Sequence, residues 1–445
     1  MTYQLTVGME VHVELETKTK MFCGCLNEPF GSRPNIHVCP VCYGLPGALP
    51  LLNKEAITMV VRFGRAIHAT IPTETFWERK SYFYPDLPKG YQLSQSVAPL
   101  VQGGVIVIDG AEHHLHHAHL EEDAGKLMHA PDKTHSLVNF NRAGVPLLEI
   151  VTEPDFHSAE SVKRFCQELQ RIMRSLKISS ADMEKGQMRC EANISVSKTG
   201  ELGTKVEVKN INSFRAVRKA IQYEFERQTQ ALGAGETIIA ETRTWNDPES
   251  KTVAMRSKET SADYRYFPEP DLPIVRIEDG VGGGHLLPED QRRELVALGV
   301  KNELVQPVID KGYFDLLKGV QALKPEMVAE AAKTLIAFSG PTDVETLVQF
   351  IVLKAENGWT NETAKEVLAQ AETKGLVEAS ASFMSTLDLE PIVKTVIDEN
   401  SKPVADYKSG KTAAFQALVG QVMAKTQGRA NIQKVREELE RQLND

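Results

Sequence analysis

The residues best suited to chemistry are carboxylates that lie in or beside apolar runs. GMEVHVEL carries Glu10 and His12, PLLEIV places Glu149 among apolar residues, and HLEEDAGK crowds three acids that include Glu122. Carboxylates in such places are costly unless cations neutralise them. Their hard oxygens suit Mg²⁺, which keeps several waters and binds substrate phosphates. The sequence therefore favours a magnesium site, although Glu10 and His12 alone also fit the solvent face of an edge strand.

A second set of residues suits a nucleotide. KSYFYPDLPKGYQLSQ mixes tyrosines with Lys80, Asp86 and Lys89, a combination that can stack on a base and neutralise phosphate. A rigid surface loop has the same composition. Later segments add cations that are ordinary singly but match the needs of a triphosphate: Lys209, Arg243, Arg256, Lys258 and Arg265. The sequence has no P-loop pattern, so any ATP would be bound without a P-loop. It also has no Ser/His/Asp or Cys/His pattern, so covalent hydrolysis of an amide is not expected.

Four of the six cysteines are crowded into one segment. Cys23, Cys25, Cys39 and Cys42 form a CxC and a CxxC pair separated by thirteen residues. Two short-range pairs on turns can clamp one ion in a tetrahedral four-thiolate site. Such a site leaves no position open for water, so the spacing predicts a structural Zn²⁺ rather than a catalytic one. The histidine-rich run before HLEEDAGK is interpreted as solvated rather than metal-binding.

Strands, turns and helices must position these residues. Alternation in the opening segment places its apolar residues on one face and Glu10, His12 and Glu14 on the other. Residues 1–280 otherwise consist of short strand-like runs broken by turn residues. Two helices interrupt them, at about 159–176 after Ser158 and at about 214–232 before Gly233. An α+β fold class follows.

Beyond residue 280 the pattern changes to helical periodicity. The segment DGVGGGHLLPED marks a boundary, residues 281–395 are predicted to form a linker and an all-α helical domain, and residues 396–445 a small helical tail. Between residues 401 and 436 the basic residues are opposed only by Asp406. They are Lys402, Lys408, Lys411, Lys425, Arg429, Lys434 and Arg436.

The whole composition is that of a soluble globular protein. Of 445 residues, 42% are hydrophobic and 25% charged, and no apolar run is long enough to span a bilayer, so no membrane partner is expected. The N-terminal sequence lacks the pattern of a signal peptide, so a cytoplasmic location is expected. A net charge of -9 argues against general coating of nucleic acid. Any RNA contact must therefore be regional.

Seven motifs occur in the order found in one known family: GMEVHVEL, KSYFYPDLPKGYQLSQ, HLEEDAGK, NRAGVPLLEIVTEPD, RCEANISV, KNINSF and DYRYFPEPDLP. With ADYKSGKTAAFQALVGQVMAKTQGRAN near the end, the chain resembles the B subunits of tRNA-dependent amidotransferases. The resemblance implies a catalytic cradle domain in residues 1–280 and a tRNA-binding tail. It implies a ligase that uses ATP to phosphorylate the side chain of Glu on tRNA(Gln) or of Asp on tRNA(Asn). Ammonia from the amidase A subunit then displaces phosphate, in a heterotrimer completed by a small C subunit.

The resemblance also implies roles for individual residues. Glu10, His12, Glu122 and Glu149 fall at the catalytic Mg²⁺ positions. The residues assigned to ATP are Lys80, Tyr82, Tyr84, Asp86, Lys89, Arg142, Lys209, Arg256, Lys258 and Arg265. RCEANISV departs from the family pattern, because Glu191 stands where Asp is expected. Two alternatives stay open. One is a zinc-ribbon tRNA-binding scaffold whose partner performs all the chemistry. The other is the related archaeal-type subunit specific for Glu-tRNA(Gln), although the sequence shows no large inserted domain between the cradle and the tail.

Overall fold

The computed structural model describes residues 3–130, 132, 134–256, 264–278, 280, 286–381, 383, 388–426, 430 and 432–444, without the side chain of residue 256. The chain divides into two compact units, Met1–Pro288 and Glu289–Asp445. The first combines sheets and helices, whereas the described part of the second is helical apart from its turns. This arrangement confirms the α+β fold class with a helical part after it.

The strands described in the first unit are β1 (Gln4–Glu14), β2 (Glu74–Thr75), β3 (Glu78–Ser81), β4 (Tyr91–Ser94), β5 (Val101–Gln102), β6 (Val105–Ile108), β7 (Ala111–Glu122), β8 (Lys126–His129), β9 (Ser136–Asn139), β10 (Pro146–Thr152), β11 (Met188–Ser197), β12 (Val206–Ile211), β13 (Thr242–Asn246), β14 (Lys251–Arg256), β15 (Phe267–Pro268) and β16 (Val275–Arg276). Its described helices are α1 (Lys54–Ala66), α2 (Ala159–Ser175) and α3 (Phe214–Gly233), and α4 (Pro288–Ala297) begins at its end.

One large sheet organises the first unit. Its strands lie in the order β14, β13, β12, β11, β1, β10, β7 and β5, and β6 also pairs with β7. Only β12 and β13 run parallel among these pairs of described strands. The opening strand is therefore central, and His12 lies opposite Glu149 of β10 and Arg189 of β11.

The two faces of this sheet differ in polarity. The apolar side chains of the opening segment are at most 7% exposed, and they are Leu5, Val7, Met9, Val11, Val13 and Leu15. Side chains from α1, α2 and α3 close the hydrophobic core with them. The predicted alternation is confirmed, and Glu10 and His12 are left on the face away from that core.

Helices α2 and α3 begin where the sequence predicts. The Ser158 side chain accepts a hydrogen bond from Ser161 N at 3.0 Å, and Ser213 accepts one from Ala216 N at 3.1 Å, as N-cap residues do. The expectation of only two helices was wrong, because α1 precedes them. Its N-cap is Asn53, whose side chain accepts from two backbone amides of the first turn.

Smaller sheets hold the segments predicted to bind a nucleotide. Strand β3 pairs with β4 and with β15, so residues 78–81 lie beside residues 267–268. The other small pairs are β2 with β16 and β8 with β9. Tyr82 and the residues after it follow β3 directly, so this sheet fixes where that loop begins.

The helices of the second unit, after α4, are α5 (Asn302–Asp310), α6 (Phe314–Leu323), α7 (Val328–Phe338), α8 (Val344–Asn357), α9 (Asn361–Lys374), α10 (Leu376–Ala381), α11 (Leu389–Glu399), α12 (Ser401–Lys408), α13 (Thr412–Lys425) and α14 (Ile432–Asn444), with a 3₁₀ turn at Pro325–Met327. The helical tail predicted from the sequence contains α12, α13 and α14. Val393 and Val396 of α11 share a hydrophobic core with them. The division into 281–395 and 396–445 stays a prediction. No helix of the described residues has the length and apolarity needed to cross a membrane.

Candidate functional site

Three of the four predicted magnesium ligands come together on the charged face of the large sheet. His12 Nε2 lies 3.3 Å from Glu149 Oε2 and 3.9 Å from Glu10 Oε1. One ligand atom from each of the three lies within 4.8 Å of the others. The register explains this geometry, since His12 pairs with Glu149 across β1 and β10 and Glu10 is two residues from His12 on the same face.

Two further residues complete this group, although neither was among those predicted from the sequence. His119 Nε2 lies 3.4 Å from Glu121 Oε2 and 3.5 Å from Glu149 Oε2, and Glu121 also lies 3.9 Å from His12 Nε2. Because β7 pairs with β10, His119 stands opposite Glu149. The signal was present in HLEEDAGK, where alternation from His119 reaches Glu121. These five residues, Glu10, His12, His119, Glu121 and Glu149, are called the acidic cluster below.

Glu122, the fourth predicted ligand, lies beside the acidic cluster rather than within it. Alternation along β7 directs Glu121 and Glu122 to opposite faces. The Glu122 carboxylate forms an ion pair with Lys89 and accepts a hydrogen bond from Leu93 N at 3.1 Å. Lys89 is thus a direct partner of Glu122 in this structure.

The acidic cluster has the electrostatics of a site built for a cation. Burial and the neighbouring Glu149 raise the pKa of Glu10 to about 7. Burial alone would lower the pKa of His12, but its hydrogen bond to Glu149 and the nearby negative charges raise it to about 9. Burial would raise the pKa of Glu149, yet the charge of His119 and contact with His12 hold it well below its usual range. Protonated histidines therefore compensate the carboxylates here.

A bound divalent cation could replace that compensation. Carboxylate oxygens converge on one point, as a hard cation requires. Both histidines direct Nε2 at the carboxylates, and the Nδ1 atoms of His12 and His119 are buried without a hydrogen-bond partner among the described residues. Metal binding needs neutral imidazole, so a cation would displace the histidine protons. The carboxylates suit a hard divalent cation such as Mg²⁺, whereas the two imidazoles also suit transition metals.

Lys209 lies beside a second group of acids that includes Glu10. Its Nζ is 2.7 Å from Glu191 Oε2 and 3.7 Å from Glu207 Oε1, and one oxygen from each of Glu10, Glu191 and Glu207 lies within 4.8 Å of the others. Burial would lower the pKa of Lys209, but the charge of Glu191 raises it well above the ordinary value. The ammonium therefore stays charged and neutralises this second group of acids.

Lys80 and the tyrosines form an aromatic wall near the acidic cluster. Lys80 Nζ lies 4.9 Å from the centre of the Tyr264 ring, and Tyr82 lies 6.3 Å from the same ring and 6.1 Å from Tyr84. Burial would lower the pKa of Lys80, but the charge of Glu121 raises it well above its usual value. Lys80 thus presents a fixed positive charge between the aromatic rings and the carboxylates.

Asp86 and Arg142 contact the turn that follows Glu122 at the end of β7. The Asp86 carbonyl accepts a hydrogen bond from Gly125 N at 2.8 Å. Arg142 donates to the carbonyls of Ala124 and Gly125, both at 2.9 Å. Both residues therefore hold the AGK turn after HLEED in place, Asp86 through its carbonyl and Arg142 through its guanidinium.

The remaining predicted cations are placed differently. Arg265 is exposed and has a positive φ of 48°. Lys258 and the side chain of Arg256 lie outside the described residues. Arg243 is engaged elsewhere, 3.2 Å from the buried Glu224 and 2.5 Å from Glu241, so it stabilises the junction of α3 with β13 and β14.

The four clustered cysteines converge as their spacing predicts. Cys42 Sγ lies 3.6 Å from Cys23 Sγ and 3.8 Å from both Cys25 Sγ and Cys39 Sγ. A tetrahedron with zinc–sulfur bonds of about 2.3 Å separates its sulfurs by about 3.8 Å. The three distances from Cys42 match this value and all four sulfurs lie within 4.8 Å of one another, so they fit one tetrahedral ion. This group is called the thiolate cluster below.

The electrostatics of the thiolate cluster favour an anion at Cys42. The hydrogen bond from Cys23 and the charge of Lys20 lower the pKa of Cys42 to about 4, against the effect of burial. The same hydrogen bond raises the pKa of Cys23 well above its usual value, and burial raises that of Cys25 to about 11. Without metal one thiolate is therefore favoured, and a metal ion would favour deprotonation of the others.

Comparison with known proteins identifies relatives over nearly the whole chain. A family model described as the GatB/GatE catalytic domain matches residues 5–282, and one described as the GatB domain matches residues 320–443. The B subunit of the aspartyl/glutamyl-tRNA(Asn/Gln) amidotransferase of Synechococcus sp. (strain JA-3-3Ab) is 40% identical over 99% of this chain and 98% of its own length. The B subunit numbered 2 of the same enzyme in Clostridium acetobutylicum is 39% identical over the full length of both. The corresponding B subunit of Thermotoga petrophila is 40% identical over 97% of each chain.

Proposed function

This chain belongs to the GatB/GatE family, and we propose from that membership that it is the B subunit of a tRNA-dependent amidotransferase. It converts Glu on tRNA(Gln), Asp on tRNA(Asn), or both into the corresponding amides. The observation that supports a catalytic rather than a scaffolding role is the acidic cluster. Carboxylates gathered on one face would repel the phosphates of RNA, whereas they suit a cation that binds ATP.

The reaction proceeds in two steps. The side-chain carboxylate of the misacylated tRNA attacks the γ-phosphorus of ATP, which gives an acyl phosphate and releases ADP. Ammonia then attacks the acyl carbon, and phosphate leaves as the amide forms. Positioning and charge stabilisation contribute most to such phosphoryl transfers.

The acidic cluster would hold the magnesium ion. Glu10, His12 and Glu149 supply ligand atoms already within reach of one another. Glu122 stays proposed as a further ligand from its position in the sequence; in this structure its carboxylate lies beside the cluster and pairs with Lys89. When bound, Mg²⁺ supplies charge neutralisation for the phosphates of ATP.

The cations and tyrosines around the cluster would orient ATP and the acceptor. Lys80 faces the carboxylates and offers its charge to phosphate, while Tyr82 and Tyr84 offer aromatic faces to the base. Lys209 forms an ion pair with Glu191, close to Glu10, and so holds the Glu191 carboxylate in place. Asp86, Lys89 and Arg142 fix the loop beside Glu122. Arg256, Lys258 and Arg265 are proposed to contact phosphate as predicted from the sequence.

The thiolate cluster would hold a structural zinc ion. Its sulfur spacing matches a tetrahedral site, and four thiolates leave no position for water. Zinc there would stabilise the fold of residues 20–45 and take no part in the reaction.

Ammonia must come from a partner. The sequence offers no nucleophile with a base for amide hydrolysis, so an amidase A subunit with a small C subunit would supply it, in the cytoplasm. The direct test is to purify the chain with both partners and to follow ATP-dependent amidation of each misacylated tRNA. Amide formation with glutamine, and with ammonium salt in the absence of glutamine, is expected. If ATP consumption and amidation persisted after the acidic cluster was neutralised, the chain would be a scaffold instead.

A further inference from the structure

Lys20 is an unusual residue because its side chain is completely buried. Its relative exposure is 0%. Nζ donates to His37 O at 2.7 Å and to Phe140 O at 3.2 Å, and it lies 3.5 Å from Cys42 Sγ. A buried ammonium is costly unless an anion lies beside it.

Within the described part of the chain, the anion available to Lys20 is a thiolate. Among the described residues no carboxylate forms an ion pair with Lys20, and the two carbonyls are neutral. Four cysteinates around a divalent ion carry two excess negative charges. The metal-loaded thiolate cluster would therefore supply the charge that the buried ammonium needs.

The backbone connects this pair through Gly144 to the end of β7, where Glu122 lies. Met21 N, next to Lys20, donates to Gly144 O at 2.8 Å, and Gly144 N donates to Asp123 O, next to Glu122, at 2.9 Å. A Cβ atom added to Gly144 would lie 3.5 Å from Lys20 Cδ and 3.9 Å from Glu122 Oε2. Only one glycine therefore separates the Lys20 stem from the Glu122 carboxylate.

We propose that Lys20 is a positioning residue that balances the charge of the metal-loaded thiolate cluster and ties that cluster, through Gly144, to Glu122. Donation from Nζ to Cys42 Sγ holds the thiolate, and the two carbonyl contacts fasten the loops that contain His37 and Phe140. The inference rests on the metal proposed for the four cysteines. It does not depend on which tRNA is amidated.

The first test compares Lys20→Met, which keeps the shape but loses the charge, with Lys18→Met, because Lys18 is exposed on the same segment. Zinc content of the full-length chain is measured first, and zinc release to a chromophoric chelator is then timed. Release from Lys20→Met is expected to be about 10- to 100-fold faster, as for the loss of a partner that orients a metal ligand. Lys18→Met should match the parent. Equal rates for all three would overturn the role of Lys20, and absence of metal from the parent chain would overturn the metal assignment as well.

Cobalt substitution gives a readout that a general loss of stability would not reproduce. Removing the N–H donor from a cysteinate sulfur raises the energy of its lone pairs. The sulfur-to-cobalt charge-transfer band of Co²⁺-loaded Lys20→Met is therefore expected at longer wavelength than in Lys18→Met. An unchanged band would show that Lys20 does not act on the thiolate.

A third measurement needs no substitution and remains decisive if Lys20→Met fails to fold. The parent chain is treated with an amine-acylating reagent before and after zinc is removed, and acylation is located by peptide mass analysis. Lys18 should be acylated in both states, whereas Lys20 should be acylated only after zinc removal, because loss of the ion frees the cysteine loops that bury the ammonium. Protection of Lys20 in both states would overturn the proposed dependence on the metal-loaded cluster.

Discussion

Glu149 occupies the centre of the acidic cluster, between the imidazoles of His12 and His119. Replacement by Gln keeps the shape but removes the charge that both histidines and the proposed Mg²⁺ require. We expect Glu149→Gln to reduce amide formation by at least about 100-fold, because losing a direct ligand should cost no less than losing an outer partner, which costs up to about 100-fold. Product on misacylated tRNA is measured with glutamine and ATP present.

The matched control for Glu149→Gln is the glutaminase activity of the same complex. Glutamine hydrolysis should stay measurable, because the amidase is a different subunit. Replacing glutamine with ammonium salt should not restore amidation, since the defect precedes ammonia attack. Full transamidation by this variant would contradict the assignment of the cation site.

The two neighbouring glutamates of β7 allow contacts within the acidic cluster to be distinguished from the ion pair with Lys89. Glu121 contacts His119 and His12, whereas Glu122 is paired with Lys89. Glu121→Gln and Glu122→Gln are both expected to raise the Mg²⁺ concentration needed for half-maximal amidation, and Glu122→Gln to abolish most product. A normal Mg²⁺ requirement in Glu122→Gln would mean that this carboxylate serves Lys89 and not the cation.

Part of this site could be predicted from the sequence because a charged residue within an apolar run, or on one face of an alternating strand, is visible locally. Glu149 is conspicuous within an apolar run, and Glu10 and His12 share one face of an alternating strand. His119 and Glu121 were not selected, because their role depends on the pairing of β7 with β10. That pairing joins residues far apart in the chain, and local patterning does not encode it.

At the level of elements, a buried ionic network joins α3 to β13 and β14. Glu224 is fully buried, with Arg227 at 2.8 Å, Arg243 at 3.2 Å and the hydroxyl of Thr252 beside it. Burial would raise the pKa of Glu224, but its hydrogen bonds hold that pKa below the ordinary value of 4.5. A lowered folded pKa stabilises the protein above pH 4.5, and this contribution disappears as pH falls through the folded pKa.

Glu224→Gln is therefore expected to lower the free energy of unfolding by about 3 to 5 kcal/mol at pH 7, because it leaves two arginines without their buried partner. The deficit should shrink as pH falls from 4.5 through the lower pKa of the folded state, because the parent carboxylate then becomes protonated. Urea unfolding at pH 7 and below pH 4.5 measures this difference in the free energy of unfolding. Glu226→Gln on the exposed side of the same helix is the control. A deficit that was independent of pH would contradict the ionic origin.

Helices could be predicted from the sequence where the N-cap residues and the apolar periodicity indicate the same boundaries, as in α2 and α3. Helix α1 was missed because Ile57, Val60 and Val61 favour strands locally and Gly64 lies within its last turns. A Cβ atom at Gly64 would lie 2.6 Å from Ile71 and 2.8 Å from Val101. The glycine is thus required by tertiary packing against residues that no helical pattern reveals.

At the level of the whole molecule, basic residues are concentrated in the tail of an acidic chain. Lys402, Lys408 and Lys425 are exposed on α12 and α13. Deleting residues 400–445 would also remove the core partners of Val393 and Val396 in α11, so charge neutralisation is the cleaner test. If the tail binds tRNA through phosphates, removing a lysine that pairs with a phosphate lowers the salt dependence of binding.

The triple variant Lys402→Gln, Lys408→Gln and Lys425→Gln is expected to weaken binding of full-length misacylated tRNA and raise its apparent KM. The slope of log affinity against log salt should flatten by roughly one for each phosphate that is no longer neutralised. Amidation of a minimal acceptor-stem substrate should change much less, because the acidic cluster is intact. The control replaces three exposed lysines outside the tail, Lys301, Lys324 and Lys374, and makes the same change in net charge. If both triple variants flattened the slope equally, the effect would come from overall charge, and the tail would be better explained as a packing or partner-docking element.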